Sequence, residues 1–538
     1  MASEPARSTT ARRLSSLLYG TALAITLVSA TATPASAQND VLKVIPHADL
    51  RVLDPLQIAA AVTKMHALAV YETLFAQDEA LQPKPMMAES VDVSADGLTY
   101  RIALRPGLRF HDGQAVTAAD VVPSLKRWMA RDFVAKKMGE FMASLEADGE
   151  RTVVIRLKEP YGLVEYSLST ASAIVPVIMR AKDAATDPFV AVTETVGSGP
   201  FKFERGQYAP GSRVVYTRNA TYAPRSEATS GLAGARLAKI ERVEWRVIPD
   251  AATAAAAIGA GEVDIWDGPT LDLLPTLEKN PAIQFVKVQQ LGNFAYVRPN
   301  HLYPPFNDVR ARQALALAMD QNEAMAAAIG DKRWWEPCTA YFICRSAYGI
   351  DAGAEAYRTQ NLARAKQLLA ESGYKGEKVV MLGTTEIPLV NAMTQVAAQQ
   401  MKAIGINIDL QMMDWSGMIG RFGKKEPPDQ GGWNVFAAYG TSVIWYHPLT
   451  NSGMNTACDR SNWAGWPCDE EATKLLNQFL RARGAEAQTA AVTALHRRLA
   501  EVVPLVLGGQ WYPPTVARKN VSGILPTNFL AFWNITKS

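Results

Sequence analysis

Between residues 390 and 412 the chain changes period. Val390 to Ile404 carries a helical pattern that stops at Gly405; from the next residue Ile406, Ile408, Leu410 and Met412 alternate with Asn407, Asp409 and Gln411. A period near 3.6 buries one stripe of a helix, and a period of two buries one face of a strand. A helix that runs straight into a strand is a unit of an α/β domain, so this segment commits the chain to a sheet with helices packed on it. The same two periods recur elsewhere. Thr99 to Leu104 sets Tyr100, Ile102 and Leu104 on one face, and Arg151 to Lys158 sets Val153, Ile155 and Leu157 inward. Asp308 is placed to cap a helix through Val309, Arg312, Ala316 and Met319. Asn361 is placed to cap another, with Leu362, Ala365, Leu368 and Leu369 on one face and a stop at Gly373. Further helices are predicted over 469–482 and 485–500. Pro and Gly gather at 208–211, 223–234, 303–307 and 423–432, which read as loops or crossings.

The amino end has a different grammar. Arg12 and Arg13 precede a twelve-residue apolar run, Leu17 to Val28, and small residues follow to Ala35-Ser36-Ala37. The run is shorter than the roughly 20 residues a spanning helix needs. It reads as an export leader cleaved between Ala37 and Gln38, which predicts a periplasmic protein of 501 residues. Both the general and the twin-arginine export routes stay open, and no cysteine near the cleavage point offers a lipid attachment site. No later segment has the length and apolarity of a membrane span. A chain this long divides into more than one domain. The sequence holds 55 basic and 52 acidic residues; the leader takes three basic and one acidic residue with it, leaving 52 against 51. That balance supplies no basic face for nucleic acid.

Four cysteines, Cys338, Cys344, Cys458 and Cys468, form two closely spaced couples. An exported chain meets an oxidising compartment, so disulfides are expected. Three pairings are possible; Cys338–Cys344 and Cys458–Cys468 are favoured because each closes a short loop. Zinc is the rival, but intervals of five and nine residues differ from zinc knuckles. The six histidines, at 47, 66, 111, 301, 447 and 496, show no metal-ligand spacing. HExxH, G-x-S-x-G, the phosphate loop and GxGxxG are all absent. Val196-Gly197-Ser198-Gly199-Pro200 leads into Phe201-Lys202-Phe203, a turn into a strand and not the start of a phosphate-binding helix. Phe110-His111-Asp112-Gly113 reads as a tight turn. The residues thus offer no catalytic signature and call for no cofactor or metal, and the chain is not expected to be an enzyme.

Residues 88–128, AESVDVSADGLTYRIALRPGLRFHDGQAVTAADVVPSLKRW, closely resemble the signature region of the family 5 extracellular solute-binding proteins, the peptide, nickel and oligosaccharide receptors of ABC importers. The marks are Asp96 to Tyr100, Leu104 to Gly113 and Thr117 to Val121. Val196 to Phe201, Pro210-Gly211, Arg218-Asn219, Tyr222, Gly261 to Ile265, Pro305 to Arg310, Arg312 to Leu315, Asp320, Ala365 to Gly373 and Gly405-Ile406 follow in family order. The resemblance implies an α/β, two-lobed periplasmic binding protein of the hinged type II kind with an extra domain. On that basis the first lobe comprises 38–72, 195–289 and 508–538. The extra domain spans 73–194 and the second lobe 290–507. It also implies a small-molecule solute as guest, an ABC permease and ATPase complex as partner, and a monomer.

The resemblance further implies where the solute contacts fall. They are His47, Asp49 and Arg51 after the opening strand; Asn293, Phe294, Tyr296 and Arg298 beyond the crossing; and Trp415, Trp433, Tyr439, Thr441, Ser442, Trp445, Tyr446 and His447 in an aromatic-lined cleft. Arg298 and Asn300 are placed to anchor an anion. Peptide-binding relatives carry a carboxylate in this last loop for the peptide's ammonium group, yet Gly440 to Ile444 contains no Asp or Glu. A buried ammonium needs a paired charge. Either Asp414 or Asp49 serves, or the solute is another peptide-like compound, a sugar, an opine or another organic molecule. A nickel or heme complex would recruit His447 or His301. A secreted hydrolase or chaperone-like protein is the reading from outside this class.

Overall fold

The computed structural model describes residues 40–538 apart from Ser172 and Ser461. The export leader and its cleavage point at Ala37/Gln38 lie outside the described residues, among which no helix is long and apolar enough to cross a membrane. Residues 39–538 form one compact unit containing three main sheets.

The first sheet has seven strands in the order Ile283–Val286, Thr515–Arg518, Ile265–Trp266, Val41–Ile45, Arg242–Arg246, Arg213–Arg218, Phe201–Phe203. Val41–Ile45 is central and runs parallel to both neighbours. The second sheet has six strands, ordered Trp335–Glu336, Val506–Trp511, Asn293–Pro299, Val435–Thr441, Lys378–Thr384, Asn407–Met413. Its last three run parallel to one another. The third, Ala88–Val93, Thr99–Leu104, Thr152–Leu157, Met142–Asp148, is wholly antiparallel. The chain passes between the first two sheets twice, after Val286 and after Trp511. Strand Val506–Trp511 lies whole in the second sheet, although the sequence division falls inside it at 507/508.

The periodic segments form the elements their spacing demands. Tyr100, Ile102 and Leu104 are buried on one face of their strand. Asp308 accepts from the Arg310 amide and Asn361 from the Arg364 amide, capping Val309–Ala318 and Leu362–Glu371. The 390–405 pattern is helix Pro388–Ala403, which ends at Gly405 with φ 99°. Strand Asn407–Met413 departs from clean alternation: residues 408–413 are all half-buried, because the strand is the sheet's edge.

The signature motifs are devices of local structure. Asp96-Gly97 makes the hairpin turn between Ala88–Val93 and Thr99–Leu104, with the Asp96 carboxylate accepting from the Leu98 amide. Thr117 and Asp120 form a capping box on helix Ala118–Arg131. The turn at His111 docks on the Gly197–Gly199 turn: His111 donates its backbone N–H to Gly197 O at 2.7 Å, and its Nε2 lies 3.1 Å from Gly199 O. Those glycines are required by contact. A Cβ on Gly197 would stand 1.9 Å from Val70 O, and one on Gly199 2.7 Å from Ala69 O, at the end of helix Ala61–Val70.

A buried ion pair joins the antiparallel domain to the first sheet. Arg127, in helix Ala118–Arg131, donates to Asp54 at 2.9 Å with both side chains fully buried. Its two terminal nitrogens also reach Thr186 O, Asp187 O and Val190 O, with Nε–H left unpaired, while Asp54 also accepts from the Leu56 and Val192 amides. Removing one partner of such a pair strands a buried charge. Arg127→Met is therefore expected to lower unfolding stability by about 3–5 kcal/mol, measured by urea denaturation; a loss within experimental error contradicts this role for the pair.

Candidate functional site

Part of the sequence-predicted set falls at the carboxyl edges of the two parallel strand sets. On the first sheet, strand Val41–Ile45 ends just before His47, and strand Ile265–Trp266 ends at Asp267. His47 Nδ1 and Asp267 Oδ2 are 2.8 Å apart. Burial works against a charge on His47, but the hydrogen bond and the charge of Asp267 prevail and raise its pKa. Asp49 accepts from the Gly211 amide at 3.0 Å and pairs with Arg51 at 3.1 Å. On the second sheet, Lys378–Thr384, Asn407–Met413 and Val435–Thr441 end side by side. Each is followed within four residues by a helix: Pro388–Ala403, Trp415–Phe422 and Ser442–Trp445. In open α/β sheets this edge is where ligands sit, and helix starts there present free backbone N–H groups.

Behind that edge the aromatic residues join into one network. Trp445 stacks on Tyr296 at 4.9 Å and lies 5.7 Å from Phe294. Tyr296 meets Phe436, Phe436 stacks on Phe422 at 4.0 Å, and Phe422 meets Trp415. Trp433 packs on Phe436 at 4.9 Å. Strand register explains the order, since Tyr296 stands opposite Ala438 and Arg298 opposite Phe436, on one face. Trp445 fits because two neighbours lack side chains: a Cβ on Gly440 would fall 2.1 Å from its Nε1, and one on Gly453 2.4 Å from its ring. The sequence reading missed Phe422, Phe436 and Trp463, which link the others; strand register opposite Arg298 could have revealed Phe436, whereas Phe422 and Trp463 arrive from a helix and a loop with no local signal.

The remaining predicted residues divide. Tyr439 is 38% exposed and packs edge-on against Trp511, and Thr441 is exposed, paired with Asn293 across the ladder. Ser442, Trp445, Tyr446 and His447 are buried. Tyr446 accepts from Gln77 Nε2 at 2.7 Å and its hydroxyl lies 3.1 Å from that of Tyr166; His447 stacks on Tyr166 at 3.7 Å. The end of this loop thus fastens the second sheet to Tyr166, which follows the antiparallel sheet in sequence. The nearby sequence marked neither Gln77 nor Tyr166 for this contact.

Arg298 does not meet the expectation of an anion anchor. It is fully buried and donates to Ala464 O at 2.6 Å, Gly453 O at 2.7 Å, Pro504 O at 3.2 Å and Trp463 O at 3.4 Å. Burial pushes its pKa down to about 9. Its donors are spent on loop carbonyls, as is the amide of Asn300 on Trp433 O. Asp414 caps helix Trp415–Phe422 through the Gly417 amide. His301 turns its Nε2 to Pro504 O at 3.2 Å, and among the described residues no group of three or more His, Cys, Asp or Glu is placed to hold a metal ion. Cys338 pairs with Cys344 and Cys458 with Cys468.

Two parallel-edged sheets joined by two crossings make the fold of a two-lobed periplasmic binding protein, the solute receptor of an ABC importer. The chain belongs to the bacterial extracellular solute-binding proteins, family 5, whose middle region matches residues 82–463. It is 34% identical over 525 residues, covering 97% of this chain and 98% of the relative, to a protein of Sinorhizobium fredii named as a probable peptide ABC transporter periplasmic-binding protein. It is 27% identical to a glutathione-binding protein of Pectobacterium atrosepticum over 67% of each chain. Its fold matches that of the binding protein AgaA of A. tumefaciens R10 in complex with agropinic acid, with TM-score 0.72 at 22% identity over 93% of this chain and 99% of the other.

Burial of the loop has a pH consequence. Desolvation holds the His447 pKa well below 6.5, so the folded protein keeps it neutral while the unfolded chain protonates near pH 6.5. Its contribution to stability is present above pH 6.5 and is lost as pH falls. Between pH 6 and 5, His447→Phe is expected to flatten the fall of unfolding free energy by about 1.4 kcal/mol per pH unit. Denaturant titrations at several pH values test this, and parallel curves for the two proteins count against it.

Proposed function

We propose that this protein is exported to the periplasm and captures a peptide-like solute between the two carboxyl edges, then presents it to an ABC permease and ATPase complex. The observation that carries the reading is that His47, Asp49 and Arg51 follow the parallel edge of the first sheet and Trp415, Tyr439 and Thr441 stand at that of the second. The first sheet and the antiparallel domain act as one lobe, about 38–289 with the C-terminal 512–538, and 290–511 acts as the other. Closure about the two crossings holds the solute without a covalent step. A solute touching both edges favours the closed form by its difference in affinity for the two forms. Helix starts along the second edge supply N–H donors suited to carboxylate and amide oxygens. Residues 440–444 lack an acidic side chain, Asp49 is taken up by Arg51 and Gly211, and Asp414 is a helix cap. These facts favour a solute that does not depend on a paired ammonium, such as a modified peptide or an opine conjugate. The agropinic acid named for one structural relative lies in that range.

A thermal-shift screen of short peptides, glutathione, opines and sugars tests the reading. A ligand at a hundredfold excess over its dissociation constant stabilises the fold by about 2.7 kcal/mol. Tyr439→Ala is expected to weaken the responding solute at least tenfold with the unliganded melting temperature kept within a few degrees. Unchanged affinity removes the second edge from the site, and absence of solute-induced compaction in X-ray scattering removes closure.

A further inference from the structure

The two crossings between the sheets carry an attachment that a bare hinge does not need. A Cβ on Gly292, φ 61°, would stand 2.1 Å from Trp511 O, so the crossings run in contact. Gln510, fully buried, donates its Nε2 to Leu291 O at 2.7 Å and to Cys344 O at 3.3 Å. One side chain thereby ties the first crossing, the strand that leads into the second and the loop closed by Cys338–Cys344. The next loop residue, Arg345, pairs with Glu336 at 2.5 Å, and its guanidinium lies 5.0 Å from the ring centre of Tyr512. Tyr512 belongs to the second crossing. Its hydroxyl bonds Glu336, its amide donates to Trp334 O at 2.7 Å, and Lys287 from the first crossing lies 3.6 Å over its ring.

Crosslinking gives the loop a shape that an open chain would seldom keep. Ile343 and Arg345 both hold left-handed backbone angles, φ 64° and φ 66°, without being glycine. Cys338 is buried, and Cys344 is half-exposed. The second pair, Cys458–Cys468, lies in a loop that shares none of these hinge contacts among the described residues, so it serves as an internal control.

We infer that the Cys338–Cys344 loop is a brace on the hinge, and that its thiol–disulfide state sets how freely the two lobes move. The inference rests on the hinged reading above. With the bond intact, the loop holds Cys344 O and Arg345 against Gln510 and Tyr512 and restrains both crossings. A dithiol reductant opens it: a thiolate attacks Sγ of half-exposed Cys344 and Cys338 leaves as thiolate. The reductant's second thiol then displaces Cys344, giving two protein thiols and the cyclic disulfide of the reductant, two electrons and two protons in balance. The freed loop relaxes its left-handed residues and loses its hold on the hinge.

Hydrogen exchange of the unliganded full chain tests this, with dithiothreitol as the reductant. In Cys338→Ser/Cys344→Ser, and in the wild-type protein after reduction, the amides of 288–292 and 510–512 are expected to exchange at least tenfold faster, with reoxidation restoring the wild-type rate. Arg345→Gln, with the disulfide kept, should give a smaller increase at the same segments. Cys458→Ser/Cys468→Ser should leave them unchanged. Equal exchange in the 338/344 variant, equal acceleration by the 458/468 variant, or a 338–344 bond that dithiothreitol does not reduce each overturns the inference. X-ray scattering with a responding solute separates the readings: compaction with no redox effect refutes the brace alone, and no compaction refutes hinged capture.

Discussion

The architecture turns on the contact between Arg127 and Asp54. Two opposite charges with no exposed side-chain surface offset their desolvation through their mutual attraction and the hydrogen bonds that surround them. Here Thr186, Asp187 and Val190 take the two terminal guanidinium nitrogens and the amides of Leu56 and Val192 serve the carboxylate, while Arg127 Nε–H is left without a partner. The pair therefore fixes three chain segments at once: the loop after the opening strand, the helix of the antiparallel domain and the return toward the first sheet. The turn at His111 on the Gly197–Gly199 turn reinforces the same junction. With these three segments locked, the antiparallel domain is fixed to the first sheet, and the backbone passes on to the second sheet through the two crossings.

This division explains why the aromatic residues of the second sheet do two kinds of work. Phe294, Tyr296, Phe436, Trp445 and Trp463 pack as a core and give the second lobe its rigidity. Tyr446 and His447 reach across to Gln77 and Tyr166 and hold the lobe against the antiparallel domain. Tyr439 and Thr441 stay open to solvent at the strand edge. A rigid frame with a few uncommitted groups at its rim suits recognition, because the frame is already ordered and only the few rim groups lose freedom when a guest arrives.

The motifs that carry the family resemblance lie away from that rim. Asp96-Gly97 turns a hairpin, Thr117 and Asp120 cap a helix, and Gly197 and Gly199 permit close backbone contact. They specify a frame shared by receptors of different solutes, which is why a strong resemblance left the guest undefined. The edge residues that would choose a solute follow no such local rule.

Local periodicity, caps and glycine stops are properties of a few consecutive residues, so helix Pro388–Ala403, strand Thr99–Leu104 and the caps at Asp308 and Asn361 were legible before any fold was known. The short-loop cysteine pairing was legible for the same reason. Whether a polar group is free or spent depends on partners far along the chain, and no local pattern records them. Arg298 looks like an anchor until Gly453, Ala464 and Pro504 bring their carbonyls to it from more than 150 residues away. Tyr446 and His447 look like a cleft wall until Gln77 and Tyr166 meet them. The sequence alone thus determined which elements form, and tertiary packing decided which side chains remain available to a solute, because burial and hydrogen-bond satisfaction are set by contacts distant in the chain.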